Sequence, residues 1–229
     1  MKFLVSYMYI LINTCILIPI LLVGDFHFLW ECLRVIFLMF WEPHGNHGSL
    51  SSMRDRINRK QVNKGVKVFS TGDEFLVHTF KAHLAARICT CLKLQSTSDV
   101  IPHNKSLQWL QATAERLLPE TIMPATSTDP VYAMHRSFLH TSFLYIDLRN
   151  AIRYEYGAHI VRLWKLWLPR LIGTGRKNYA AECVHMIANL CADLPRHLAY
   201  IATHNRTVNM EGKPGRGKPI DQMVEHYNL

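Results

Sequence analysis

The chain has 229 residues, 49% of them hydrophobic and 19% charged, and its 26 Lys and Arg against 17 Asp and Glu leave a formal net charge of +9. A chain of this length buries about 70% of its unfolded surface and folds without staples. Its six cysteines are scattered and include no C-x-x-C pair, which argues against a disulfide framework and for buried thiols in a reducing compartment. The basic excess points to an anionic partner, either nucleic acid or an acidic membrane surface.

The first element is an uncharged run over residues 3–23, FLVSYMYILINTCILIPILLV. Its length suits a bilayer span, and with Lys2 in front and no small-x-small cleavage site behind, it fits an anchor better than a removed signal peptide. Its second half, CILIPILLVGD, fits equally a short buried strand closed by Gly24 and Asp25, which periodicity alone does not separate from a helix. The next apolar stretch, residues 26–41, carries Glu31 and Arg34. Each would cost about 2.5–3.5 kcal/mol at a bilayer centre, so this stretch is expected to be a core helix.

From there the pattern is a succession of helices with Gly, Pro and Ser punctuation. Ser49 is positioned to cap a short basic helix reaching Arg59, and Thr71 with Glu74 has the spacing of a capping box that would open a helix to Leu94. Phe75, Val77, Phe80, Leu84, Ile88 and Cys91 keep helical spacing along it. A helix over residues 105–118 follows, then a Pro- and Thr-rich linker. Asp129 and Pro130 start the longest helix, with Met134, Phe138, Tyr145, Leu148 and Ile152 on one face and Gly157 as its stop. Shorter helices are expected over residues 158–168, 178–192 and 195–203.

The chemistry-bearing motifs are weak. GKPGRGK, with Gly212, Gly217 and Lys218, has the spacing of a phosphate loop, but Pro219 stands where the magnesium-binding hydroxyl belongs. Pro214 and Pro219 also remove backbone donors, so a basic flexible loop is the better reading. Cys89 and Cys91 point to different helical faces, and the histidines show no zinc spacing, so no metal site is expected. The basic clusters are stronger. Arg54, Arg56, Arg59 and Lys60 open one, and Arg176, Lys177, Arg206, Lys213, Arg216 and Lys218 form glycine-flanked groups suited to phosphate contact. Aromatic residues are not interleaved with these cations in sequence.

Taken in order, GDFHFLWECLRVIFLMFW, GSLSSMRDRINRKQV, DEFLVHTFKAHLAARI, the stretch from YIDLRNAIRYEYGAHI through GTGRKNYAAECVHMI, and VNMEGKPGRGKPIDQMVEHYNL resemble the domain-of-unknown-function family numbered 6589. The resemblance covers residues 24–229. It implies a transposon-derived origin, an apolar stretch before Gly24 that residues 1–14 of the leader over residues 1–23 do not fit, and truncation at both ends, with Asp221, Glu225, His226 and Asn228 carrying the likeness in the last helix. The fold class expected is mainly α, a multi-helix globular domain, or a helical insertion joined to the remnant of an RNase H-like α/β core.

In that second architecture Asp25, just after an apolar strand, and Glu225, far downstream on a helix, are vestigial catalytic candidates, because two-metal phosphoryl transfer needs converging carboxylates. No Asp or Glu precedes Asp25, so the first acid of such a site is missing. The chain is therefore expected to be a non-catalytic transposase remnant that binds nucleic acid weakly, without cofactor, magnesium entering only with an intact acidic site. DNA is the expected partner, through the basic patches, in an intracellular location, nuclear or cytoplasmic. The alternative is a membrane-anchored helical protein with residues 3–23 as its single span. Asp25 and Glu225 also have simpler readings, as a helix cap and as an exposed acid near a helix start.

Overall fold

The computed structural model of the chain describes residues 7–10, 18–21, 24–42, 48–96, 98–99, 106–122 and 129–227. Strands β1 (Tyr7–Ile10) and β2 (Ile18–Leu21) pair antiparallel, with Tyr7 opposite Leu21 and Ile10 opposite Ile18. Strand β2 lies within CILIPILLVGD. The rest of the 3–23 run lies outside the described residues. Among the described residues no helix is long and apolar enough to cross a membrane.

Helices α1 (Asp25–Phe40), α2 (Leu50–Arg56), α3 (Phe69–Leu92), α4 (Leu107–Ile122), α5 (Pro130–Arg153), α6 (Gly157–Gly173) and α7 (Lys177–Ala188) follow. A π-helical turn (Asn189–Asp193), α8 (Arg196–His204), a minimal hairpin of β3 (Thr207–Val208) and β4 (Lys218–Pro219), and α9 (Ile220–Tyr227) complete the chain. The protein is mainly helical. Among the described residues no sheet exceeds two strands.

The chain divides into two compact units, residues 1–35 with 145–229, and Ile36–Leu144. The second is nested in sequence within the first, and the boundaries fall inside α1 and α5. In the first unit, Phe28 of α1 stacks on Trp164 of α6 with centroids 3.6 Å apart and planes 8° apart. Leu33, Tyr145, Leu148 and Trp167 are buried in the same unit. An aromatic pair of this kind adds about 0.5–1.5 kcal/mol beyond its burial. In the second unit, Phe37 meets Phe75 and Phe40 meets Phe138 edge-on, beside buried Leu76 and Leu139. As α1 is apolar on nearly every face, it can only be a buried helix.

Local signals placed several helix ends. Ser49 caps α2 by accepting from the Ser52 N–H at 3.2 Å, and Asp129 caps α5 by accepting from the Val131 and Tyr132 N–H groups. Three expectations are corrected. Helix α3 begins at Phe69, behind Val68, so Thr71 and Glu74 lie inside it and Glu74 pairs with Arg59 instead of closing a capping box. Helix α6 does not stop at residue 168 but runs through Pro169 to Gly173. A mid-helix proline costs about 3 kcal/mol, whereas the fully buried Trp164, Trp167 and Leu171 each return about 1.5–3 kcal/mol. Gly157 does not stop α5; it opens α6, where a Cβ would lie 2.0 Å from the Thr203 carbonyl oxygen.

Candidate functional site

Asp25 is a buried ion-pair partner. Its Oδ1 accepts from Trp164 Nε1 at 3.0 Å and Arg206 Nη2 at 2.7 Å, and its Oδ2 accepts from Arg206 Nε at 2.8 Å. Burial pushes the Asp25 carboxyl up from its ordinary value, and the Arg206 guanidinium opposes that push. Arg206 and Trp164 together direct three donors at it, an arrangement suited to a carboxylate. Arg206 is only 5% exposed and sits over Trp164 at 5.5 Å. Its expected role as a phosphate contact is therefore corrected: the charge is spent inside the protein.

Glu225 does not reach for Asp25 but for His27, with Glu225 Oε1 3.0 Å from His27 Nε2. The other ring nitrogen, Nδ1, is 2.9 Å from Asp221 Oδ2. Asp221, buried in the first turn of α9, also accepts from the Phe26 and His27 backbone N–H groups at 3.1 to 3.2 Å. A carboxylate on the last helix thus caps the first one, meeting donors that α1 cannot satisfy within itself. Gly24 permits this, since a Cβ there would lie 2.0 Å from Asp221 Oδ2. Among the described residues no group of three or more His, Cys, Asp and Glu side chains is arranged to hold a metal ion.

The hydrogen bond to Asp221, aided by Glu225 and opposed by burial, raises the His27 pKa. The protonated ring is favoured in the folded state, so the stability it contributes is complete below the ordinary imidazole value of 6.5 and is lost as pH rises through the raised value. Thermal midpoints compared across that window should show His27→Gln less stable than the native chain at the acidic end, with the gap narrowing as pH rises. A constant gap would assign the bridge no proton-linked role.

The glycine loop is an ordered strap, not the flexible loop expected. The Gly217 N–H donates to the Arg153 carbonyl at 2.9 Å, Arg153 Nε donates to the Gly215 carbonyl at 3.1 Å, and Asn209 Nδ2 donates to the Lys213 carbonyl at 3.0 Å. Gly217 is required by this close approach, because a Cβ would lie 2.8 Å from the Ile152 carbonyl oxygen. Its N–H is therefore directed at protein and not at a phosphate. The two arms of the hairpin bring Arg206, just before β3, and Asp221, just after β4, onto the first turn of α1. The Ile220 N–H to Arg206 carbonyl bond ties those arms together.

Of the other basic candidates, Arg176 pairs with buried Glu31 at 3.0 Å, which Arg34 also approaches at 3.5 Å. Arg54 pairs with Asp55 and lies over the Trp41 ring, and Arg59 pairs with Glu74 at 2.8 Å. Arg56, Lys60 and Lys177 are exposed. Lys213, Arg216 and Lys218 are exposed together on the strap, with Glu211 3.7 Å from Arg216. A surface pair of that kind is worth about 0–1 kcal/mol and leaves the cation available. The strap thus holds three exposed cations on fixed backbone.

Sequence reasoning missed Asp221 as a cap, because its partners lie 194 and 195 residues away and no local pattern links positions so far apart. It also missed Tyr154 and Tyr156, the exposed aromatics that flank Glu155 beside the strap. The model of one family, described as a family of unknown function (DUF6589), matches residues 16–229, reaching back through β2. No curated protein and no solved structure matches the chain.

Proposed function

The chain belongs to DUF6589, a family of unknown function, and on that premise we propose that it is a transposon-derived, non-catalytic module that binds nucleic acid through its strap. The observation that carries this reading is the fixed presentation of Lys213, Arg216 and Lys218 on a hairpin bonded to the end of α5. Cations held in place meet phosphates without first losing conformational freedom, and each neutralised phosphate releases counterions. The net charge of +9 adds a long-range attraction for a polyanion. Asp25 supports the non-catalytic part, since both of its oxygens already accept from Arg206 and Trp164. An intracellular location, nuclear or cytoplasmic, goes with such a partner.

Titrating labelled oligonucleotides at several salt concentrations tests the proposal. The affinity should fall steeply with salt. Combining Lys213→Ala, Arg216→Ala and Lys218→Ala should flatten the log–log slope by about 2–3, close to one for each phosphate that is no longer neutralised. An unchanged slope in the triple variant, or no binding at low salt, would sink the reading.

A further inference from the structure

Tyr154 and Tyr156 stand exposed at the junction of α5 and α6, 49% and 60% accessible, with centroids 6.0 Å apart and planes 19° apart. The backbone fixes them there. The Glu155 N–H donates to the Ile152 carbonyl and the Tyr156 N–H to the Ala151 carbonyl, the paired bonds of a Schellman helix end. The left-handed position of that motif, usually glycine, is occupied by Glu155 at φ 60°. Its carboxylate accepts from Asn209 Nδ2 at 3.0 Å, and Asn209 in turn holds the Lys213 carbonyl. The tyrosine turn and the cationic strap are therefore built as one piece, and a Cβ at Gly215 would already meet the Tyr154 ring at 3.4 Å. Beyond Tyr156, Gly157 abuts the end of α8, where Tyr200, 65% exposed, stacks on His204 at 4.1 Å.

Resting on the nucleic-acid reading of the strap, we propose that the ligand of this edge is single-stranded DNA, with unpaired bases stacking on Tyr154 and Tyr156 and its phosphates meeting Lys213, Arg216 and Lys218. Exposed rings beside cations are a stacking platform with an electrostatic track. A duplex cannot use the rings, because its base faces are already stacked inside the helix. Stacking and phosphate contact make no demand on the sugar. Neither interaction requires a 2′-hydroxyl, so the proposal commits to DNA and the oligo-U arm below tests that choice.

The full chain is titrated with oligo-dT, with a hairpin duplex of matched length and with oligo-U, as native protein and as Tyr154→Ala, Tyr156→Ala, Tyr154→Phe and Tyr156→Phe. The expected result is tighter binding of oligo-dT than of the duplex. Each alanine should weaken oligo-dT binding about 5- to 100-fold, while each phenylalanine, which keeps the ring, leaves it near the native value. Duplex binding should be insensitive to all four. Thermal melts of the phenylalanine variants keep the comparison sound if an alanine variant fails to fold. Duplex binding equal to or tighter than oligo-dT, or oligo-dT affinity that survives loss of the rings, would overturn the inference and leave the strap reading standing. Oligo-U bound more tightly than oligo-dT would overturn the assignment to DNA. No binding of any of the three would remove both readings together.

Discussion

Replacing Arg206 by methionine should lower the free energy of unfolding by about 3–5 kcal/mol, the cost of leaving one member of a buried ion pair without its partner. The size follows from the surroundings. Asp25 is 3% exposed and Arg206 5%, and their bidentate contact at 2.7 and 2.8 Å leaves the Trp164 N–H as the remaining donor to the carboxylate. In the variant, burial raises the Asp25 pKa with no guanidinium to oppose it. A carboxyl whose folded value is raised favours the protonated folded form, so the penalty is greatest at neutral pH and eases on acidification through that raised value. Urea unfolding at two pH values checks the sign. Asp25→Leu combined with Arg206→Met should be more stable than either single variant, since removing both charges leaves none stranded. A double variant no better than the sum of the singles would mean that the two charges act separately.

The second large effect is expected at Gly24. An alanine there would set its Cβ 2.0 Å from Asp221 Oδ2 and 2.5 Å from Asp221 Cβ, so the whole residue must retreat and not merely its tip. Retreat strips the N–H groups of Phe26 and His27 of their acceptor. The missing cap and the missing charged hydrogen bonds together are worth about 2–4 kcal/mol. Asp221→Ala removes the same interactions by another route, so Gly24→Ala added to it should cost little more, and hydrogen exchange should quicken in the first turn of α1 and in α9 in both. Full additivity of the two substitutions would show that Gly24 acts on something other than Asp221.

Parts of this fold are legible in the sequence. Ser49 and Asp129 mark helix starts because a short polar side chain reaches the nearest free N–H groups, an interaction closed within three residues. Helix α1 is legible because an apolar run interrupted by Glu31 and Arg34 suits a core and not a bilayer. Where an expectation failed, a distant contact had outweighed a local signal. Pro169 is tolerated because Trp164, Trp167 and Leu171 are buried around it. The αL position that ends α5 falls to Glu155, tied to Asn209 in the strap, and not to a glycine.

The candidate site shows the same division. The basic clusters are visible as composition, but composition does not separate a surface cation from a buried one. Arg206 and Lys213 stand seven positions apart in one glycine-flanked run, and one is sealed against Asp25 while the other faces solvent. Likewise Tyr154 and Tyr156 lie far along the chain from Lys213, Arg216 and Lys218; the fold brings the strap to them.

The sequence by itself determined the helical class, the buried character of α1, the caps of α2 and α5 and the basic net charge. Each of these depends on residue type, or on spacing within a few turns of backbone. Only the tertiary structure decided that Asp25 is an ion-pair partner, that Asp221 caps the first helix, that Glu225 serves His27, and that the glycine run is a strap carrying exposed cations beside two tyrosines. These depend on proximity between residues as much as 198 positions apart. Electrostatic and hydrogen-bond energies are set by distances of a few ångströms, which long-range packing alone fixes.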